Sequence, residues 1–272
     1  MPQKCWLLLL CLASTLHPAA QQDSVSAIFP KPVGKPAVKM EKEANKLTVC
    51  SFVLPSALIA YGVVALHNPS LQSLDRHIRQ AVWLDRPHGQ LPLDNYLQYA
   101  PGAAVYLFNV VGIQGKNNFR DRTIVYLAAN AMMGITIEVL KHAIPAERPD
   151  GSGNDGFPSG HTGTAFVAAE FLRQEYEEVS PWYGIGGYAA AIATGYLRLY
   201  NDKHWFSELL PGAGIGILST KAAYWIYPAI RRRLVRTKKA GDINRGRRDT
   251  GLVALPFYHS GTAGVSVDYF FH

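Results

Sequence analysis

Residues 47–66 read LTVCSFVLPSALIAYGVVAL, 20 positions without a charge. A helix rises 1.5 Å per residue, so this run extends about 30 Å, the thickness of the hydrocarbon core of a bilayer. Pro55 falls inside it, and membrane helices tolerate proline because neighbouring groups re-satisfy the freed backbone. The same pattern recurs further along the chain. Asn95–Gly115 is uncharged, Thr123–Leu140 carries only Glu138, and 162–172 carries only Glu170. Pro181–Leu197 is uncharged and rich in Gly and Ala, as closely packed membrane helices are. Leu209–Ile230 contains only Lys221 and ends at Arg231, Arg232 and Arg233. These runs predict an all-α fold: a membrane-embedded bundle of about six helices. Three are spans by length, while the shorter or charge-bearing ones fit buried helices of a soluble bundle equally well. Between the first two runs, Ser70–Leu84 mixes apolar and charged residues at helical spacing, which predicts an interfacial helix.

The flanks are different in kind. Residues 1–20 carry Lys4, the apolar run Cys5–Ala13 and then Pro18, Ala19 and Ala20, the outline of a signal peptide or a retained N-terminal anchor. Residues 21–46 form a polar linker with Lys31, Lys35, Lys39, Lys42 and Lys46. The helical domain is expected over 47–233, followed by a basic, flexible tail. In Gly251–His272 two apolar runs flank a Ser-Gly turn, which predicts a short C-terminal β-hairpin.

Composition narrows the function. Charged residues make up 17% of the 272, against about 25% in a soluble domain. The net charge of +7 comes from 27 Lys and Arg against 20 Asp and Glu, concentrated in tails and short loops. No basic stripe is interleaved with aromatics, so nucleic acid is not an expected partner, and anionic lipid head groups or a phosphorylated substrate fit better. The cysteines are Cys5, Cys11 and Cys50; two fall in the targeting segment, so no internal disulfide is expected after processing, and none has metal-ligand spacing.

Three short blocks carry chemistry. The first is Lys141, six residues, then Arg148-Pro149, which sets two cations at the end of an apolar helix and in the loop beyond it, where they can grip an anion. The second is Pro158-Ser159-Gly160-His161. Ser159 is a good N-cap, the N–H groups of a helix start form an anion site, and Gly160 lets backbone approach a phosphate. The third is Arg198, five residues, His204, three residues, Glu208. On a helix, His204 and Glu208 share a face, and a carboxylate bonded to one imidazole nitrogen leaves the other free to attack. Each block alone reads as readily as a basic loop, a capping turn or a surface ion pair.

Taken in order, the three blocks resemble the signature of the phosphatidic acid phosphatase type 2 superfamily: Lys-x6-Arg-Pro, Pro-Ser-Gly-His, and Ser-Arg-x5-His-x3-Asp. That family holds membrane lipid phosphatases, soluble bacterial acid phosphatases and vanadium haloperoxidases. The chain departs from the pattern at Leu197, where the family has Ser, and at Glu208, where it has Asp. The resemblance implies a helical domain in which His204 attacks phosphorus, Glu208 orients it, and His161 protonates the leaving alkoxide and then activates water. It implies that Lys141, Arg148, Ser159, Gly160 and Arg198 hold the phosphoryl oxygens, with no metal and no cofactor.

The resemblance therefore implies a lipid phosphatase acting on lipid A, polyprenyl diphosphate, phosphatidate or phosphatidylglycerophosphate. A soluble-type periplasmic acid phosphatase of broad specificity, a vanadate-dependent haloperoxidase and an inactive membrane scaffold are the alternatives. Basic clusters at 31–46, at Lys116, Arg120 and Arg122, and at 231–239 fall on one side of a six-span topology. By the positive-inside rule that side is cytoplasmic, which predicts a multi-pass protein of the bacterial inner membrane with its active site facing the periplasm. A cleaved signal would invert this arrangement. The sequence is silent on oligomeric state.

Overall fold

The computed structural model of the protein describes residues 50–86, 88–244, 251–259 and 262–270. The expectations for the signal segment and the polar linker lie outside these residues. Along the chain run α1 (Cys50–Ala65), α2 (Pro69–Arg79), α3 (Asp94–Leu97), α4 (Ala100–Val110), α5 (Phe119–Ala143), α6 (Gly160–Tyr176), α7 (Pro181–Tyr200) and α8 (Phe206–Asn244). The backbones of β1 (Gly251–His259) and β2 (Thr262–Phe270) pair antiparallel, with Gly251 opposite Phe270 and His259 opposite Thr262.

The chain turns by 96° between α1 and α2, where Asn68 caps the second helix by accepting from the N–H groups of Ser70 and Leu71. α2 continues into one π turn over Gln80–Leu84, so the stretch read as an interfacial helix is helical throughout. The apolar run Asn95–Gly115 behaves differently from its reading as one span. It is divided between α3 and the 11-residue α4. Pro101 sits in the first turn of α4, and Gly112 at φ 92° ends it. The division lets Asp94 turn inward and sets the exposed Asn95 beside His161, rather than running both along a straight helix. A second difference is at the basic tail, where the backbone of α8 stays helical to Asn244; Arg, Lys, Leu and Ala are good helix formers.

Helix–helix contact is made through small residues. A Cβ added at Gly212 or Gly216 of α8 would lie 2.5 Å from the carbonyl oxygens of Ser159 and Gly163 on α6. One added at Gly214 would lie 2.5 Å from the Pro55 oxygen of α1. α8 is therefore clasped on two sides at backbone distance. Val125, Ala129, Met133, Ile137, Val167 and Ile215 fill the core between α5, α6 and α8. Of the three charges noted inside apolar runs, Glu138 is exposed, while Glu170 and Lys221 meet at 3.0 Å. Glu170 also takes a double hydrogen bond from Arg173 and one from the Tyr188 hydroxyl. Buried charges persist only when paired in this way.

The outer surface is unusually apolar. Leu54, Val110, Leu127, Ile135, Val139, Ile192 and Trp225 are each more than half exposed. By length and composition α5 is long and apolar enough to cross a membrane, and Ser51–Ala65 with Pro69–Leu84 passes the same test only as a bent pair.

Candidate active site

The His204–Glu208 pair is built by helix capping. α8 begins at Phe206, so His204 lies in the turn before the helix rather than on its face. Glu208, in the first turn, reaches back. Its Oε2 accepts from the Trp205 N–H at 3.1 Å and bonds His204 Nδ1 at 2.9 Å. This is the geometry of a capping-box glutamate, which needs its length to return to the residues ahead of the helix. The longer side chain at 208 thus has a local reason. Asp75 of α2 caps the same helix from outside, accepting from Ser207 N at 3.0 Å and Ser207 Oγ at 2.5 Å.

His204 and Glu208 are each 3% exposed. Burial, followed by Arg198, Arg148 and Lys141, holds His204 well below the usual imidazole range, so the ring is neutral. Burial pushes the Glu208 carboxyl up to about 8.

The start of α6 abuts this pair, because Ser159 N donates to Glu208 O at 3.0 Å. Ser159 is fully buried and caps α6, its hydroxyl lying 3.0 Å from Thr162 Oγ1. Two residues on, His161 bonds Asn95 Oδ1 through Nε2 at 2.9 Å. With the amide oxygen as acceptor, that nitrogen carries the proton and Nδ1 is left free. Burial, then Arg198, lowers His161 to about 4.

The three expected phosphate-binding cations each meet a carboxylate. Arg198 Nη1 lies 2.5 Å from Asp94 Oδ2, while its buried Nε has no partner among the described residues. Arg148 grips Asp155 with two bonds of 2.8 and 3.0 Å, and Lys141 Nζ lies 3.6 Å from the same carboxylate. The loop carrying Arg148 is pinned to the His204 turn by Lys203–Asp150 at 2.7 Å and by Trp205 Nε1 to Glu147 O at 2.9 Å. Arg79 donates two hydrogen bonds to Asp202, each of 2.8 Å, and its guanidinium stands over the Trp205 ring. Asp202 holds φ 56°, a left-handed turn that Asp accepts more easily than most residues.

The expected residues therefore fall into one neighbourhood. His161, His204, Glu208 and Ser159 gather at the starts of α6 and α8. Lys141, Arg148 and Arg198 act electrostatically on both histidines. Asp75, Asp94, Asn95, Asp155, Gly156 and Trp205 were not foreseen. Gly156 is required by contact, since a Cβ there would lie 2.4 Å from Glu208 Oε1. None of these carries a local pattern, and Asn95 was read as the start of a span.

Residues 122–232, which hold the buried His–carboxylate pair, the second histidine and the three cations, match the family model of the PAP2 superfamily. The chain carries a domain of that superfamily. It is 32% identical over 200 residues to the lipid A 1-phosphatase of Porphyromonas gingivalis, a match that takes in 73% of this chain and 42% of the relative. The chain thus spans less than half the length of that curated relative. Among solved structures, the PAP2-type phosphatidylglycerolphosphate phosphatase of Bacillus subtilis is 24% identical with a TM-score of 0.46, covering 66% of this chain and 96% of that one. LpxE of Aquifex aeolicus is 20% identical with a TM-score of 0.41, covering 56% and 93%.

Proposed function

We propose that this protein is a metal-independent phosphatase that removes phosphate from a phosphorylated membrane lipid through a phosphohistidine on His204. The observation that carries the reading is the 2.9 Å bond between His204 Nδ1 and Glu208 within the field of Lys141, Arg148 and Arg198. A carboxylate at Glu208 fixes the proton on Nδ1, which leaves Nε2 with its lone pair free to attack phosphorus. The bond to the alkoxide breaks as the bond to Nε2 forms, and His161 supplies the proton to the departing oxygen. Burial, reinforced by Arg198, Arg148 and Lys141, keeps His161 neutral before substrate binds. A bound phosphate dianion reverses that field and recharges the ring as the general acid. In the second half-reaction His161 takes a proton from water, which attacks the phosphohistidine and releases orthophosphate and a free His204. Lys141, Arg148 and Arg198 stabilise charge on the phosphoryl oxygens throughout.

The exposed apolar residues around the bundle and the length of α5 support a membrane protein, which we take to be multi-pass in a bacterial inner membrane, with about six of the eight described helices forming its bundle. The charge distribution supports a periplasmic active site. Lys141 closes one end of α5 and Glu208 opens α8, while Arg231, more than 20 residues further along α8, pairs with Asp121 at the other end of α5, 3.2 Å apart. Lys116, Arg120, Arg231 and Arg232 are thus remote from the site and belong on the cytoplasmic side. An apolar cleft of about 320 Å³ between α4, α6 and α7, walled by Ala100, Phe108, Leu172 and Tyr183, suits a hydrocarbon chain. Phosphatidate, phosphatidylglycerophosphate, polyprenyl diphosphate and lipid A are the candidate substrates, and the Porphyromonas relative puts lipid A first.

The test is phosphate release by the purified protein in detergent micelles from those four lipids, beside a soluble monoester. Rapid acid-free quenching should trap a base-stable, acid-labile phosphoprotein that His204→Ala lacks. Release without any labelled intermediate would overturn the phosphohistidine. Preference for the soluble monoester would overturn the lipid assignment.

A further inference from the structure

The point on which Arg148 and Lys141 converge is already filled by part of the chain. Asp155 presents two carboxylate oxygens to the Nε and Nη2 edge of Arg148 at 2.8 and 3.0 Å, and Lys141 Nζ lies 3.6 Å away on the same group. Two oxygens of a phosphate would use the same guanidinium edge in the same fork. The next residue, Gly156, touches Glu208, so this seat borders the catalytic pair. Asp94 provides the contrast. It is 1% exposed and shared between Arg198 and the Asn201 amide, 3.2 Å away, so it is fixed in place. The side chain of Asp155 is 53% exposed. The backbone around it is secured independently by Ala146 N to Asn154 O, Arg148 N to Gly153 O and Gly156 N to Ala146 O, each 2.9 Å. Rotation of one exposed side chain therefore empties the seat without moving the loop.

We propose that Asp155 occupies the phosphate seat in the substrate-free protein and competes with phosphate for Arg148 and Lys141, and so sets how weakly the site retains inorganic phosphate. The proposal rests on the phosphatase reading of the site. A phosphoryl group arriving on a lipid displaces the carboxylate. Once hydrolysis leaves free orthophosphate, the carboxylate returns and helps expel it. Asp155 is thus a specificity-determining residue, and the ligand it discriminates against is the product.

The experiment is orthophosphate binding by calorimetry to the full chain in detergent, for the parent, Asp155→Asn, Asp155→Ser and Asp150→Asn. Asp150→Asn removes an equal charge from the same loop, but its partner is Lys203. Thermal melting confirms that each variant is folded. The Kd for orthophosphate should fall on the order of tenfold in both Asp155 variants, the loss of one charge-assisted fork, and about twofold or less in Asp150→Asn. An unchanged or raised Kd in the Asp155 variants, or an equal fall in Asp150→Asn, overturns the proposal. Turnover is read on the same samples. The expected Kd shift without phosphate release from any lipid would sink the phosphatase reading and leave the competition standing. Normal turnover with no Kd shift would do the reverse.

Discussion

Replacing Gly156 by alanine tests the dyad without touching either of its members. The new Cβ would lie 2.4 Å from Glu208 Oε1 and 2.9 Å from the Ala146 carbonyl oxygen. Ordinary contact begins near 3.5 Å, so the carboxylate must retreat by about 1 Å. A free glutamate tip would yield at little cost, but this one is buried and held by Trp205 N at 3.1 Å and His204 at 2.9 Å. A retreat of about 1 Å takes the His204 bond outside hydrogen-bonding range. Misplacement on that scale costs roughly 100-fold in turnover, about 2.7 kcal/mol of barrier. The assay is kcat for phosphate release in micelles, with the melting temperature as a control for folding. Because both changes act through one contact, the double variant with Glu208→Gln should be no slower than Glu208→Gln alone. Turnover by Gly156→Ala within threefold of the parent would refute the argument.

Glu208→Gln keeps the shape but loses the charge that settles the His204 proton, and kcat should drop by about 10²–10⁴, read in the same assay. His161→Ala should slow lipid and alkyl monoesters by about 10²–10⁴ while sparing p-nitrophenyl phosphate, whose leaving group departs without a proton; equal losses on both would remove His161 as the acid. The pH profile follows from Glu208, whose carboxyl is raised to about 8. Its protonated form donates to Nδ1 and puts the imidazole proton on Nε2, so kcat/KM should climb with pH until about 8, and the climb should vanish in Glu208→Gln. Stability runs in the opposite sense. The folded state favours the protonated carboxyl, so this contribution is fully present below about 4.5 and is lost as pH rises through about 8. The melting temperature should fall across that interval in the parent more than in Glu208→Gln.

The legible parts of the sequence were those whose signal is local. A 25-residue apolar helix and the Pro-Ser-Gly-His cap can be read from a single stretch, because periodicity and capping are short-range properties. The spacing of His204 and Glu208 indicated contact, but it suggested a helical face where the chain uses a cap, since spacing alone does not say where a helix starts. Asp94, Asn95 and Asp155 were out of reach for a different reason. Asp94 and Asn95 meet Arg198 and His161, 104 and 66 positions away, and Asp155 meets Arg148 and Lys141, 7 and 14 positions away across a loop; nothing in the neighbouring letters records such pairings. The uncharged run that hid Asn95 shows the limit of hydropathy. A window average does not register a turn between two short helices that brings one amide to the His161 ring.

The clasp between α1 and α8 matters to anyone who cuts this gene. The family match covers 122–232, which invites a minimal version that starts near α5. Such a version would strip Pro55 and Ile59 from the groove at Gly214 and remove Asp75 from the N–H of Ser207, one position before Glu208. The homology boundary falls inside a single cooperative body. Trimming to it would leave the motif letters intact while unseating the helix that presents them.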